Sequence, residues 1–137
     1  MKKILLVLLV LPLLMSLATK TTENIVGEWE GKEHDKVFSL IFDKEGYVYY
    51  KQNDQIEGGK QFSIDGKTAT LAYVFDKTTE PYQLDIILTD HGTDESKTSL
   101  GIVNFINDDT IEIALGGLNE RPTDFTGSAS LVFHRKK

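Results

Sequence analysis

From Ile25 to Arg135 apolar residues recur at every second position in short runs, and no stretch carries a helical period. A period of two sends successive side chains to opposite faces of a strand. The runs fall at 26–33, 37–42, 47–52, 58–64, 68–75, 82–89, 99–106, 110–115 and 130–135. Turn chemistry separates them. Gly46 ends the Asp43-Lys44-Glu45-Gly46 turn, where a positive φ is needed. Asp65-Gly66 is the two-residue signature of a type I′ hairpin. Asn107-Asp108-Asp109 makes another tight polar connection, and 116–127 is the longest irregular segment. Short strands at this spacing form a sandwich or a barrel. Hairpin connections predominate and closure removes aggregation-prone edges, so the expected fold is all-β, an antiparallel up-and-down β-barrel of about eight to nine strands. Side chains fill the interior of a barrel this size, or leave room for one small ligand.

The first 18 residues read differently. Met1-Lys2-Lys3 is positive, Ile4–Leu14 is an apolar run interrupted by Pro12, and Ser16-Leu17-Ala18 offers small residues for cleavage. That is the pattern of a secretory signal peptide, too short for a membrane span of about 20 residues. The expected organisation is therefore a signal peptide at 1–18, a flexible leader at 19–24 and one barrel domain at 25–137, secreted or periplasmic. The chain has no Cys, hence no lipoprotein cysteine, thiol chemistry or disulfide, and no membrane anchor is expected after cleavage. Its formal charge is −6, and losing Lys2 and Lys3 lowers it by two to −8. An acidic surface argues against nucleic acid and anionic membranes as partners.

The only Trp stands in Gly27-Glu28-Trp29, at the front of the first strand, and Arg135 closes the last. A Gly-x-Trp covered by a terminal Arg resembles the lipocalin and fatty-acid-binding superfamily, in which a guanidinium lies over the indole face at the barrel floor. The second half of the chain is similar, in order and spacing, to a family of small secreted bacterial lipocalin-like domains. The matching residues are Pro81, Asp85-Ile86, Gly92, Gly101-Ile102, Asp108-Asp109-Thr110-Ile111, Arg121-Pro122-Thr123-Asp124-Phe125 and Arg135. Val103 and Ala114 depart from it, at positions where the family often has Tyr and Cys. The resemblance implies a lipocalin-like barrel and a prior for ligand binding, and it brings no established activity.

Gly27, Trp29, Arg121, Pro122, Phe125 and Arg135 form the expected barrel-closure set, with Trp29 against Arg135 or Arg121. Arg121 has two readings. It meets an anionic ligand at the barrel mouth, or it pairs with a carboxylate such as Asp85 or Glu112, the commoner fate of a part-buried Arg. Phe38, Tyr49, Tyr73, Tyr82 and Phe105 are candidates to line a ligand cavity.

No catalytic constellation is visible. His34, His91 and His134 share no metal-ligand spacing. Glu28 and Glu30 alternate with an inward Trp29 and so face solvent. No Ser lies in a nucleophile elbow, and no Gly-rich phosphate loop enters a helix. The expectation is a non-enzymatic protein without cofactor or metal that binds a small hydrophobic molecule in or at the mouth of the barrel. The alternative is a protein-binding module, such as an inhibitor of an extracytoplasmic enzyme, presenting the loops at 91–97 or 118–125.

Overall fold

The computed structural model describes residues 23–127 and 129–137; the segment read as a signal peptide, and the leader through residue 22, lie outside them. Among the described residues the chain forms nine strands: β1 Gly27–Glu33, β2 Lys36–Phe42, β3 Val48–Gln52, β4 Gln55–Ile64, β5 Lys67–Asp76, β6 Tyr82–Asp90, β7 Ser96–Asn107, β8 Thr110–Leu118 and β9 Ser130–Arg135. Each pairs with its sequence neighbour, and β9 pairs with β1, so the sheet closes into an antiparallel up-and-down barrel. The expected runs all appear. β4 begins three residues earlier than its alternation suggested, because Gln55 and Glu57 pair with β3 although the segment buries little. Asp65 and Gly66 both have positive φ, as a type I′ turn demands. His34-Asp35 and Asn53-Asp54 adopt the same left-handed pair without a glycine, which short Asn and Asp side chains tolerate best.

An odd number of strands poses a topological problem. If every neighbouring pair is antiparallel, nine reversals around a ring cannot return to the starting direction. One strand must therefore change direction within its own length, and that strand is β4. Its Gln55–Gly58 half pairs with β3, and its Gly59–Ile64 half pairs with β5. At the junction an antiparallel bridge, Tyr47↔Ala72, joins the two flanking strands directly. Gly58 and Gly59 carry the bend, with φ of 116° and 80°. A Cβ on Gly58 would stand 2.5 Å from the Val48 carbonyl oxygen, and one on Gly59 would strike the Tyr49 ring. Only glycine satisfies both the conformation and the contact.

Inward positions follow from alternation around fully buried residues. Trp29, Phe42, Val48, Leu84, Val103 and Ile111 are sealed inside the barrel half where β1 begins. Edge-to-face aromatic pairs tie them to their neighbours: Trp29–Phe105 at 6.1 Å and Phe42–Tyr73 at 4.9 Å between ring centroids. The inward residues of the opposite half pack against this cluster yet stay only half-buried: Phe38, Leu40, Leu71, Ile86, Leu115 and Leu131. Phe75, Tyr82 and Phe105, inward in the Trp29 half, are half-buried too, so full burial is concentrated around Trp29 without extending to every inward residue of that half.

Gly58→Ala is expected to cost about 2–3 kcal/mol, as positive-φ strain adds to a backbone clash. Gly66→Ala, where φ is 75° but no atom lies within 4 Å, should cost about 1 kcal/mol. Urea denaturation midpoints of the two variants would check the ordering; equal losses would mean that the β4 bend does not depend on close approach.

Candidate functional site

The sealed end is organised by Arg135. Its guanidinium carbon sits 4.2 Å from the centroid of the Trp29 ring system. Nη1 donates to the Val26 carbonyl at 2.9 Å, and Nη2 donates to Asn24 at 2.8 Å and Asp108 at 3.2 Å. Nε donates to the Asp109 carboxylate at 3.1 Å. Trp29 turns its own Nε1–H to the Ile25 carbonyl at 2.8 Å. The planar fork therefore holds the entry segment, the β7–β8 turn and the last strand together while covering the indole face. Gly27 belongs to this unit for a steric reason: a Cβ there would lie 2.7 Å from Arg135 Nη1.

Residues 23 and 24, read as the end of a flexible leader, are fastened here instead. The Asn24 side chain accepts from the Val26 amide at 3.0 Å, the Glu23 carbonyl accepts from Lys77 Nζ at 3.2 Å, and the Tyr82 hydroxyl donates to the Glu23 carboxylate. Polarity alone favoured a frayed segment; the carbonyls it offers to Arg135 lie over a hundred residues away in sequence and leave no local signal.

Arg121, Pro122 and Phe125 do not join Trp29. β8 runs away from the Arg135 end and β9 returns to it, so the 119–129 connection leaves and re-enters at the opposite end. There it folds back over the outer wall. Arg121 makes a bidentate pair with Asp85, at 2.7 and 3.2 Å, and donates to the Gly101 carbonyl at 2.7 Å. Asp85 neighbours the fully buried, inward Leu84 and so faces outward. Ile102 and Ala114, which alternation also turns outward, are nonetheless 1% and 3% exposed, and this strap runs across their side of the barrel. Of the two sequence-based readings of Arg121, the Asp85 pairing is the one present, on the outer wall rather than at a barrel end. Phe125 lies half-buried along the strap.

The aromatic candidates also divide. Phe38, Tyr73, Tyr82 and Phe105 belong to the inner cluster. Tyr49 does not, because it pairs with Ile41 and Gly58 on the outer face, packs over Gly59, and sends its hydroxyl to Asp43 Oδ2 at 3.3 Å. Its place in the alternation was misjudged because Tyr47, Tyr49 and Tyr50 are all aromatic, while the inward positions are Val48 and Tyr50, one step out of phase with it. Burial, with the Asp43 carboxylate nearby, raises the Tyr73 hydroxyl above its usual range; that hydroxyl donates to the Asp43 carbonyl at 2.6 Å.

The half-filled end opens between the β1–β2, β3–β4, β4–β5 and β6–β7 turns. Sequence reasoning singled out Phe38 here and missed Leu71, Ile86 and Leu88, since an alternating Leu or Ile reads the same in a solid core and in a cup. One concavity at this mouth, about 530 Å3, is lined by Leu88 with Lys67, Asp90, Thr93, Glu95 and Lys97. A second, about 270 Å3, is bordered by Phe38 and Tyr50 with Lys36, His34 and Gln52 among its polar residues. Among the described residues no group of three or more His, Asp or Glu is placed to hold a metal ion. The fold defines the class, a closed antiparallel up-and-down β-barrel of nine strands. No protein family, curated protein or solved structure matches the chain.

Two outcomes follow from the sealed end and its neighbour. Arg135→Ala should lose about 2–4 kcal/mol through the cation–π contact and four hydrogen-bond acceptors left without it, and the emission of Trp29, the chain's only Trp, should move to longer wavelength. Arg135→Lys, which keeps the charge but not the fork, should fall between; unchanged stability and emission in both would remove the closure role. A raised Tyr73 pKa means that folding favours the protonated phenol. Its contribution is complete below pH about 10 and is lost as pH rises through the folded value. Spectrophotometric titration near 295 nm should lose one of its late-titrating components in Tyr73→Phe; Tyr49 and Tyr82, also raised, should remain.

Proposed function

We propose that the barrel binds a small apolar molecule at the end opposite Trp29. The observation that carries this reading is the gradient of burial along the inner wall. In the half around Trp29 six inward residues are fully buried and Phe75, Tyr82 and Phe105 partly so, whereas Phe38, Leu40, Leu71, Ile86, Leu115 and Leu131, which face inward from five different strands, are all only partly buried. Leaving apolar surface half-buried forgoes roughly 25 cal/mol for each Å2 not covered. A ligand that covers it recovers that free energy, and a concave apolar wall with polar groups at its rim is the ordinary form of a small-molecule site.

The sealed half suits the same role. Its aromatic pairs and the Arg135 clamp give the cup a rigid floor, so the site is held in shape without a ligand and little ordering accompanies binding.

Titration with the neutral fluorescent probe N-phenyl-1-naphthylamine, alongside native mass spectrometry of the purified protein, tests the reading. Saturable one-to-one binding is expected, in the micromolar range, about −8 kcal/mol. Ile86→Phe, which fills the cup from the middle of β6, should weaken it at least tenfold, about 1.4 kcal/mol, with little change in the urea midpoint. Absence of saturable binding, or binding indifferent to Ile86→Phe, would refute the proposal.

A further inference from the structure

One outer wall of the barrel differs from the rest in charge. Leu71, Leu84 and Val103 point inward, so alternation turns Thr70, Ala72 and Val74 of β5, Ile87 and Thr89 of β6, and Leu100 of β7 outward. The register sets them side by side: Ala72 lies opposite Ile87, Val74 opposite Asp85, and Asp85 opposite Leu100. Asp85 is the one outward ion of this face, and Arg121 holds its carboxylate at 2.7 Å. Val74 is 54% exposed. Exposed apolar residues on other walls stand opposite an ion of another kind. Val37 faces Lys32, Ile56 faces Lys51 and Val132 faces Glu112, and Arg121 reaches none of these.

The hydroxyls on the face already have partners. Thr70 Oγ1 donates to the Lys60 carbonyl at 2.8 Å and lies 2.6 Å from His91 Nε2, and Thr89 Oγ1 is 2.8 Å from Ser96 Oγ. They can leave water without losing a hydrogen bond, which removes the main cost of covering a polar wall. The two borders of the face are unequal. On the β7–β8 side the strap stands above the wall and carries Glu120 and Asp124. On the β5 side β4 brings Lys60 beside Thr70. A flat face with one raised border is self-complementary about a two-fold axis parallel to its strands. Each copy then lays its strap along the β4 border of the other, and the strap carboxylates approach Lys60.

We infer that the outer face of β5, β6 and β7 is an interface between two copies of this chain, packed sheet to sheet about that axis. Charge argues for a second copy as the occupant. Each copy has a formal charge of −6, so two copies repel wherever unpaired carboxylates face each other, and this wall presents none between Thr70 and Val74 or between Asp85 and Leu100. Strands about 4.8 Å apart with about 3.4 Å per residue give the face roughly 300 Å2, and the strap and the β4 border enlarge it to a contact of about 1,000 Å2 in all, at the small end of specific interfaces. Sheets packed in this way lie within about 30° of alignment. The inference stands apart from the ligand reading, because the cup is on the other side of the same strands.

Sedimentation equilibrium of the purified protein, from about 1 μM to about 1 mM at physiological salt, tests the inference. A monomer–dimer equilibrium is expected with Kd on the order of tens of micromolar, as suits an interface of this size. Val74→Glu and, separately, Ile87→Lys each set like charges across the axis and should weaken the dimer at least tenfold. Urea midpoints taken at the lowest protein concentration should stay near that of the unsubstituted chain, which shows that the variants are folded. Val132→Glu makes the same kind of change on the β9 wall and should leave the association as it was. A monomer at every concentration overturns the inference. So does a dimer that survives both face substitutions, or one that Val132→Glu weakens as much as they do.

Discussion

Arg135 directs its planar fork at four acceptors and lays its face on Trp29, and the geometry of the barrel depends on that convergence. A closed sheet has to solve a joining problem between its first and last strands, which are the furthest apart in sequence and the most costly in chain entropy to bring together. Here the backbone ladder between β1 and β9 covers only Trp29, Glu30 and Gly31. The side chain of the final strand residue continues that seam beyond the ladder, to Val26 and Asn24. Lys136 extends it further, with its amide bonded to the Glu28 carbonyl and its ammonium 3.3 Å from the Glu28 carboxylate. Trp29 makes the clamp worthwhile because it is fully buried, and its indole N–H is satisfied by Ile25 rather than left unpaired.

A second constraint acts at the opposite side of the ring. The seam requires β9 and β1 to run antiparallel, and nine consecutive antiparallel pairings forbid it unless one strand turns. The Gly58-Gly59 bend answers this requirement. β4 consequently buries little besides its two glycines, because its function in the fold is to change direction rather than to contribute core. Phe62 is the one large residue of β4 that is half-buried instead of exposed.

Much of this was legible from alternation and turn chemistry. Period two, the Asp65-Gly66 turn and the Gly-x-Trp with a terminal Arg are local or end-to-end signals, and each corresponds to an element in the structure. What was not legible depends on distances that sequence spacing does not encode. Asp85 was nameable as a partner for Arg121 from charge alone, but the side of the wall on which they meet depends on where β8 ends relative to Trp29. Tyr49 looked inward because phase within a run of aromatics is ambiguous by one residue, and a one-residue slip exchanges the two faces of a strand. Glu23 and Asn24 looked free because carbonyl oxygens have no sequence signature.

The strap shows how the two faces of a strand are used differently. Ile102 and Ala114 are apolar on the outer wall, where a one-layer barrel ordinarily leaves side chains in solvent. Covering them frees the inner face of β6, β7 and β8 from carrying the whole apolar burden of those strands. Gly101, paired with Leu84 and Leu115, is crowded on that face: a Cβ there would meet Leu115 Cδ2 and the Leu84 carbonyl oxygen, each at 2.7 Å. Its carbonyl is also the third acceptor of the Arg121 fork. One glycine therefore sits between the inner wall and the outer strap, its carbonyl held by Arg121 and its Cα face against the Leu84 carbonyl and the Leu115 side chain. The strap and the inner wall are in this way parts of one packed unit, with Arg121 bonded from outside to Asp85 on β6 and to the Gly101 carbonyl on β7.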